Sequence, residues 1–253
     1  MNRFELKGQC AIVTGGGRGI GFATARAFSR AGADVAIVDI NADAARDAAR
    51  EITVAGRKSI ALACDVTNAE QVESAFDEAA SALGGIDILV NSAGTSVRKT
   101  ALELSLEQWD RVMDLNVKAT FLASRTAVRH MLRRGGGSIV NLASIMGLSG
   151  GLYPNASDQA SKGAVVNLTR ALALEWASEK IRVNAVAPTF VRTDLTVPIF
   201  SDPIALERVM ANTPLGVLPD VDDIALAILY LASPAARCVT GITLPVDSGY
   251  LAR

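Results

Sequence analysis

Three features of this chain could do chemistry. The first is Gly15-Gly16-Gly17-Arg18-Gly19-Ile20-Gly21, which follows the apolar run Cys10–Thr14 and opens a helical stretch. Glycines at such a junction let the chain turn tightly and let a diphosphate approach the backbone. The helix that follows offers unpaired N–H groups and the positive end of its dipole to the phosphates. A glycine-rich loop alone is weak evidence, and the strand before it and helix after it make it specific. The second feature is Asp39, which closes the next apolar run. A carboxylate there accepts hydrogen bonds from ribose hydroxyls and repels a 2′-phosphate, so it favours NAD over NADP. Arg18 pulls the other way, and Asp39 decides because it would face the ribose directly.

The third feature is Ser157-Asp158-Gln159-Ala160-Ser161-Lys162, which sets a carboxylate four residues before an ammonium. On a helix this order makes a favourable ion pair. The cation and the helix start both hold Asp158 below the usual carboxylate pKa of about 3.9. Ionised at neutral pH, Asp158 has no proton to give and is a weak base. Its plain alternative is a first-turn acid that caps the helix or neutralises its dipole.

Composition removes other classes. The 253 residues suffice for one α/β core, and half of them are hydrophobic. Formal net charge is −1 with no basic run, unlike a nucleic-acid surface. No apolar stretch approaches the ~20 residues of a membrane span, and Met1–Gly8 has no signal core, so a cytoplasmic protein is expected. Cys10, Cys64 and Cys238 lack metal-ligand spacing, and Cys10 and Cys64 read as buried small hydrophobes. His130 is the sole histidine, which argues against a His triad or a His-rich metal site and fits a helix-end residue. No metal is expected.

The elements that must position these groups alternate. Strands are expected at Cys10–Thr14, Asp34–Asp39, Ser59–Asp65, Ile86–Asn91, Ser138–Ala143, Arg182–Ala187 and Ile242–Val246. Helices are expected at Gly19–Ala31, Ala42–Val54, Ala69–Leu83, Leu106–Arg133, Asp158–Glu179 and Asp222–Ala232. Nearly continuous apolar strands separated by helices imply a single-domain, doubly wound parallel α/β sheet of about seven strands with helices on both faces. Pro188 to about Val221 lacks periodicity and carries several prolines, so residues 189–218 read as a substrate lid.

These motifs together resemble the short-chain dehydrogenase/reductase family, whose fold is of the Rossmann type. Thr14–Gly21 resembles its glycine motif, and Asp65-Val66 its adenine-contacting pair. Asn91-Ser92-Ala93-Gly94 is similar to its Asn-Asn-Ala-Gly, Ala160-Ser161-Lys162 to the end of its Tyr-x-Ala-Ser-Lys, and Arg182-Val183-Asn184 with Pro188 to the segment around its sixth strand. The resemblance implies hydride transfer between a secondary alcohol or ketone and the nicotinamide. It gives Ser144 the substrate oxygen, Lys162 the nicotinamide ribose, and Asn116 a water relay behind the lysine. It implies dinucleotide contacts at Gly15, Gly17, Arg18, Gly19, Ile20, Gly21, Asp39, Asp65, Val66, Asn91, Ala93, Gly94, Lys162, Pro188, Val191 and Thr193. It also implies a homotetramer and substrates like those of polyol, sugar and gluconate dehydrogenases.

One departure matters. Asp158 stands where the family has its proton-transferring Tyr, and Tyr153, nine residues before Lys162, is on the wrong face to replace it. Two smaller departures are Thr189 after Pro188 and Ser248 after Asp247, where the family often has Gly. The leading expectation is an NAD-dependent alcohol/ketone oxidoreductase with Asn116, Ser144, Asp158 and Lys162 at its centre and with proton transfer impaired. The alternative is a non-catalytic NAD-binding protein; a further one uses Asp158 as a base on a C–H acid. Ser144, Met146, Tyr153, Asn155, Phe190 and Arg192 are expected to line the substrate pocket, with Arg192 available to a carboxylate.

Overall fold

Side chains such as Ile12, Ile37, Leu89, Val140 and Val183 lie in runs apolar on both faces, and all are buried, which a strand achieves only with a layer on each side. The computed structural model of the chain describes residues 3–54 and 56–252. Among them are β1 (Cys10–Thr14), β2 (Asp34–Asp39), β3 (Ser59–Ala63), β4 (Ile88–Asn91), β5 (Gly137–Leu142), β6 (Ile181–Pro188) and β7 (Thr243–Val246). They form one sheet in the order β3-β2-β1-β4-β5-β6-β7, with every neighbouring pair parallel. The helices are α1 (Gly19–Arg30), α2 (Ala42–Val54), α3 (Ala69–Leu83), α4 (Leu106–Met113), α5 (Ala119–Arg134), α6 (Ala156–Glu175), α7 (Val197–Phe200), α8 (Pro203–Ala211) and α9 (Val221–Ala232). One core joins α1, α2 and α9 to the sheet, and a second joins α3, α5 and α6 to the other face. None of the described helices is long and apolar enough to cross a membrane.

The strand order reverses its sense between β1 and β4, and the open crevice at such a switch point is where α/β sheets bind ligands. Thr14 pairs in register with Asn91, and Asn91 with Asn141, so three strand ends finish at one level. Buried amides hold them there: Asn91 Nδ2 donates to Ser124 Oγ and to Asn141 Oδ1, and Asn141 Nδ2 donates to Thr169 Oγ1.

Two expectations need correction. The stretch Leu106–Arg133 is not one α-helix: a π turn at Asp114–Lys118 separates α4 from α5. π turns inside helices recur at functional sites, and this one carries Asn116. Residues 189–218 are not irregular throughout, since the turn Asp194–Thr196, α7 and α8 lie inside them; Pro198 and Pro203 sit at helix starts, where a missing N–H costs nothing. Smaller shifts are of one to four residues at element ends, with Ala177–Glu179 a short 3-10 turn after α6. Cys10 and Cys64 are buried, and burial pushes the Cys64 thiol up to about 11. His130 lies near the end of α5, where its Nε2 stands 3.2 Å from Asp77 Oδ1 of α3. Ser248 adopts φ +54, the left-handed conformation that a glycine takes without strain.

Candidate active site

The loop between β1 and α1 is built for close approach. A Cβ on Gly21 would stand 2.1 Å from the Gly15 carbonyl oxygen, so only glycine lets α1 begin against the loop. Gly15 has φ +61, and a Cβ there would meet the Ala93 backbone at 2.9 Å, which joins the loop to the segment after β4. Thr14 Oγ1 accepts from the N–H groups of Ser92 and Ala93 at 3.2 and 3.4 Å across the switch point. Asn68, Ser105 and Asp220 cap α3, α4 and α9 with their side chains, whereas no side chain caps α1 at Arg18. The first-turn N–H groups of α1 are thereby left for an anion. Gly17 N donates to Asp39 Oδ2 at 3.0 Å, so the Asp39 carboxylate is tied beside the loop at the end of β2. Arg18 Nη1 pairs with Asp194 Oδ2 at 2.8 Å. The uncapped helix, the glycine cradle and the ribose-level carboxylate fit a nicotinamide dinucleotide.

Asp65 and Val66 follow β3; Asp65 Oδ1 accepts from the N–H and hydroxyl of Thr67, which shapes that turn. Asn91 Nδ2 donates to two buried partners, Ser124 Oγ and Asn141 Oδ1, which anchors the start of the segment Asn91–Gly94. Pro188, Val191 and Thr193 line the cavity beyond β6 together with Ile20 of α1.

That cavity, about 150 Å³, brings the proposed chemistry together: Ser144 after β5, Asp158 and Lys162 of α6, with Met146, Tyr153, Asn155 and Phe190 around them. Ser144 Oγ accepts from Met146 N at 3.1 Å and starts the turn Ile145–Gly147. Asn116 Nδ2 donates to Thr95 O and Ser161 Oγ, both at 2.9 Å, and its Oδ1 accepts from Thr95 N. Ser161 Oγ in turn donates to the Asp158 carbonyl, so Asn116 braces the first turns of α6. A Cβ on Gly94 would fall 3.1 Å from Asn116 Oδ1 and 3.7 Å from Lys162 Nζ, which accounts for the glycine.

Two expectations about Asp158 do not hold. Lys162 Nζ donates to the Leu142 carbonyl at 2.7 Å instead of forming a contact ion pair with Asp158. Asp158 is 8% exposed, and it accepts a long side-chain hydrogen bond, 3.3 Å, from Asn155 Nδ2. Burial therefore outweighs Lys162 and Arg98, and the Asp158 carboxyl sits above, not below, its usual pKa. Burial also lowers the Lys162 ammonium, with Asp158 pulling it back up. Asn155 Oδ1 and Thr189 Oγ1, both of cavity-lining residues, are buried without a partner, a cost that bound water or ligand relieves.

Tyr153 lies in the loop before α6, where its hydroxyl donates to Ala205 O of α8 at 2.9 Å and its ring meets Phe190 edge-on. It is a brace under α8, not a stand-in at position 158. Arg192 does not line the cavity: its guanidinium stacks over Phe200 at 4.3 Å. The arginine that does line it is Arg98, seven residues after Asn91, which the sequence reading missed. Its signal was its place in the loop after a strand at the switch point.

A larger cavity of about 600 Å³ lies at the opposite ends of the strands, where Arg182 and Arg134 are committed to the fold. Arg182 donates to the carbonyls of Leu231, Ala232, Ser233 and Val239, ending α9, and Arg134 pairs with Asp87. The Arg182-Val183-Asn184 motif is thus architectural.

Comparison with known proteins agrees with this geometry. A family model described as enoyl-(acyl carrier protein) reductase matches residues 15–251. Galactitol 2-dehydrogenase (L-tagatose-forming) of Cereibacter sphaeroides is 46% identical, over 98% of this chain and 96% of that protein. D-threitol dehydrogenase of Mycolicibacterium smegmatis is 40% identical, over 98% and 94%. A gluconate 5-dehydrogenase from Burkholderia cenocepacia, solved with NADP and tartrate, superimposes with a TM-score of 0.96 at 35% identity, covering 100% of this chain and 98% of that one.

Proposed function

Because this chain belongs to the short-chain dehydrogenase/reductase family, we propose that it interconverts a small polyol, sugar or sugar acid with the corresponding ketone, using NAD in preference to NADP. Secondary alcohol/ketone oxidoreduction with a nicotinamide dinucleotide is the activity of its relatives; substrate, cofactor choice and residue roles are the finer reading. The observation that carries it is one cavity in which Ser144, Asp158 and Lys162 meet beside the uncapped start of α1. A bound dinucleotide would supply or take the hydride. Gly15–Gly21, Asp65, Val66, Ala93 and Gly94 would hold its adenosine and diphosphate half, with Asp39 on the ribose hydroxyls. Pro188, Val191 and Thr193 would hold the nicotinamide half.

The chain's own residues then act as follows. Ser144 Oγ donates a hydrogen bond to the substrate oxygen and fixes the reacting carbon. Lys162, held by the Leu142 carbonyl, orients the nicotinamide ribose and places a positive charge under the site. Asn116 keeps α6 in register through Ser161. Asp158, raised by burial, gives a proton to the nascent alkoxide in its acid form, through a bridging water because its side chain is short. This route is slower than a phenol's, since most Asp158 carries no proton well above its pKa. Arg98 at the cavity supports substrates bearing a carboxylate. Residues 189–218 act as the lid. Exposed Leu106, Phe121 and Leu132 on α4 and α5 are covered in a homotetramer.

The test follows NADH and NADPH oxidation with a panel of ketoses and keto acids, beside binding by fluorescence. NADH oxidation with a ketose or keto acid supports the proposal. Binding of NADH with no oxidation by any member would refute the catalytic reading, and absence of binding would refute the cleft assignment. An Arg98→Ala variant that lost keto acids and ketoses equally would refute the role given to Arg98.

A further inference from the structure

Two charges meet across the mouth of the cleft. Arg18 ends the glycine loop and Asp194 begins the turn at the base of the lid, and their 2.8 Å ion pair joins segments 176 residues apart. The contact is local to the cleft: a Cβ on Gly19 would stand 3.7 Å from Thr193 Cγ2. Asp194 is held in place by its turn. Thr193 N donates to Thr196 Oγ1 at 2.9 Å, and Thr196 Oγ1 donates to Val191 O at 2.5 Å. One residue before Arg18, Gly17 N holds the Asp39 carboxylate. Arg18 and Asp39 thus flank the same end of the site, where the adenosine ribose would lie.

A dinucleotide with a free 2′-hydroxyl brings no additional charge that Arg18 must offset. One with a 2′-phosphate brings about −1.5 to −2 further charge against Asp39 and needs a cation to offset it. The neighbouring cations of α2 are engaged by their own helix, Arg46 with Asp43 and Arg50 with Asp47. Arg18 is then the cation on the glycine loop that could answer, and Asp194 already holds it. We infer that Asp194 is a cofactor-selecting residue: by engaging Arg18 it denies a 2′-phosphate its partner and reinforces Asp39 in excluding NADP. The inference rests on the proposal that the cleft takes a dinucleotide and prefers NAD.

Both side chains are about three-quarters exposed, so the pair is weak and the effect modest. Freeing Arg18 and removing one negative charge should tighten NADPH by about three- to fivefold. The experiment titrates NADH and NADPH by fluorescence into the wild type, Asp194→Asn, Arg18→Gln and the double variant. Asp194→Asn should tighten NADPH by that factor while NADH stays within about twofold, and the gain should vanish in the double variant. Equal changes for both dinucleotides would overturn the inference, because a merely structural turn would act on both. So would a gain that survives the loss of Arg18. A wild type that prefers NADPH would instead refute the NAD reading, and the four-way comparison would still read the pair.

Discussion

Replacing Asp158 by Tyr should raise the rate of ketone reduction. Asp158 sits in the first turn of α6, lines the cavity beside Ser144 and Lys162, and is 8% exposed. A Tyr ring there extends into a cavity of about 150 Å³ and brings its hydroxyl within direct reach of an oxygen held by Ser144. The phenol keeps its proton at neutral pH, and the Lys162 charge lowers its pKa toward the working range. A positioned general acid contributes about 10²–10⁴ in rate, or about 2.7–5.4 kcal/mol of barrier. The substitution also removes the acceptor of a 3.3 Å bond from Asn155, about 1 kcal/mol, so the fold should survive. The assay is single-turnover NADH oxidation with saturating ketone, run beside NADH binding and thermal unfolding. The gain should be smallest in acid, where Asp158 itself is protonated, and should grow toward alkaline pH. An unchanged rate in a folded variant that binds NADH normally would refute the placement of proton transfer at position 158.

Three other outcomes are expected. Burial raises Asp158, so the fold favours its acid form; that contribution to stability is complete below the usual carboxylate pKa and is lost as pH rises through the raised one. Ketone reduction by the wild type should fall along the same limb, and a pH–rate profile with the same limb in Asp158→Asn would exclude Asp158 as its source. Gly21→Ala puts a Cβ 2.1 Å from the Gly15 carbonyl, which must push α1 off its loop; NADH affinity should drop at least tenfold (about 1.4 kcal/mol), and unchanged binding would place the diphosphate elsewhere. Ser248→Gly relieves a left-handed φ of +54 and should stabilise the protein by about 1 kcal/mol, read as a higher denaturant midpoint at constant slope.

The sequence alone determined the sheet and the glycine turn at the proposed dinucleotide cleft, because both rest on local patterns. Apolar runs such as Ile86–Asn91 admit only strands covered on both sides, and Gly15–Gly21 between such a run and a helix admits little but a phosphate-binding turn. It also set Asp158 at the position to which the family resemblance assigns a Tyr. The state of Asp158 was decided by tertiary structure. The helical spacing predicted an ion pair and a lowered pKa, yet Lys162 turns to the Leu142 carbonyl and the surrounding chain shuts out water, so desolvation wins. Sequence spacing reports neighbours on one helix, not what the rest of the chain lays over them. For the same reason Arg98 and Arg192 exchanged places: which loop cation faces the cavity depends on how the segments after β4 and β6 pack, and Phe200 captures Arg192 before the cavity can. The π turn that presents Asn116 and the ion pair between Arg18 and Asp194 arise likewise from contacts between distant segments, which no periodicity in the chain records.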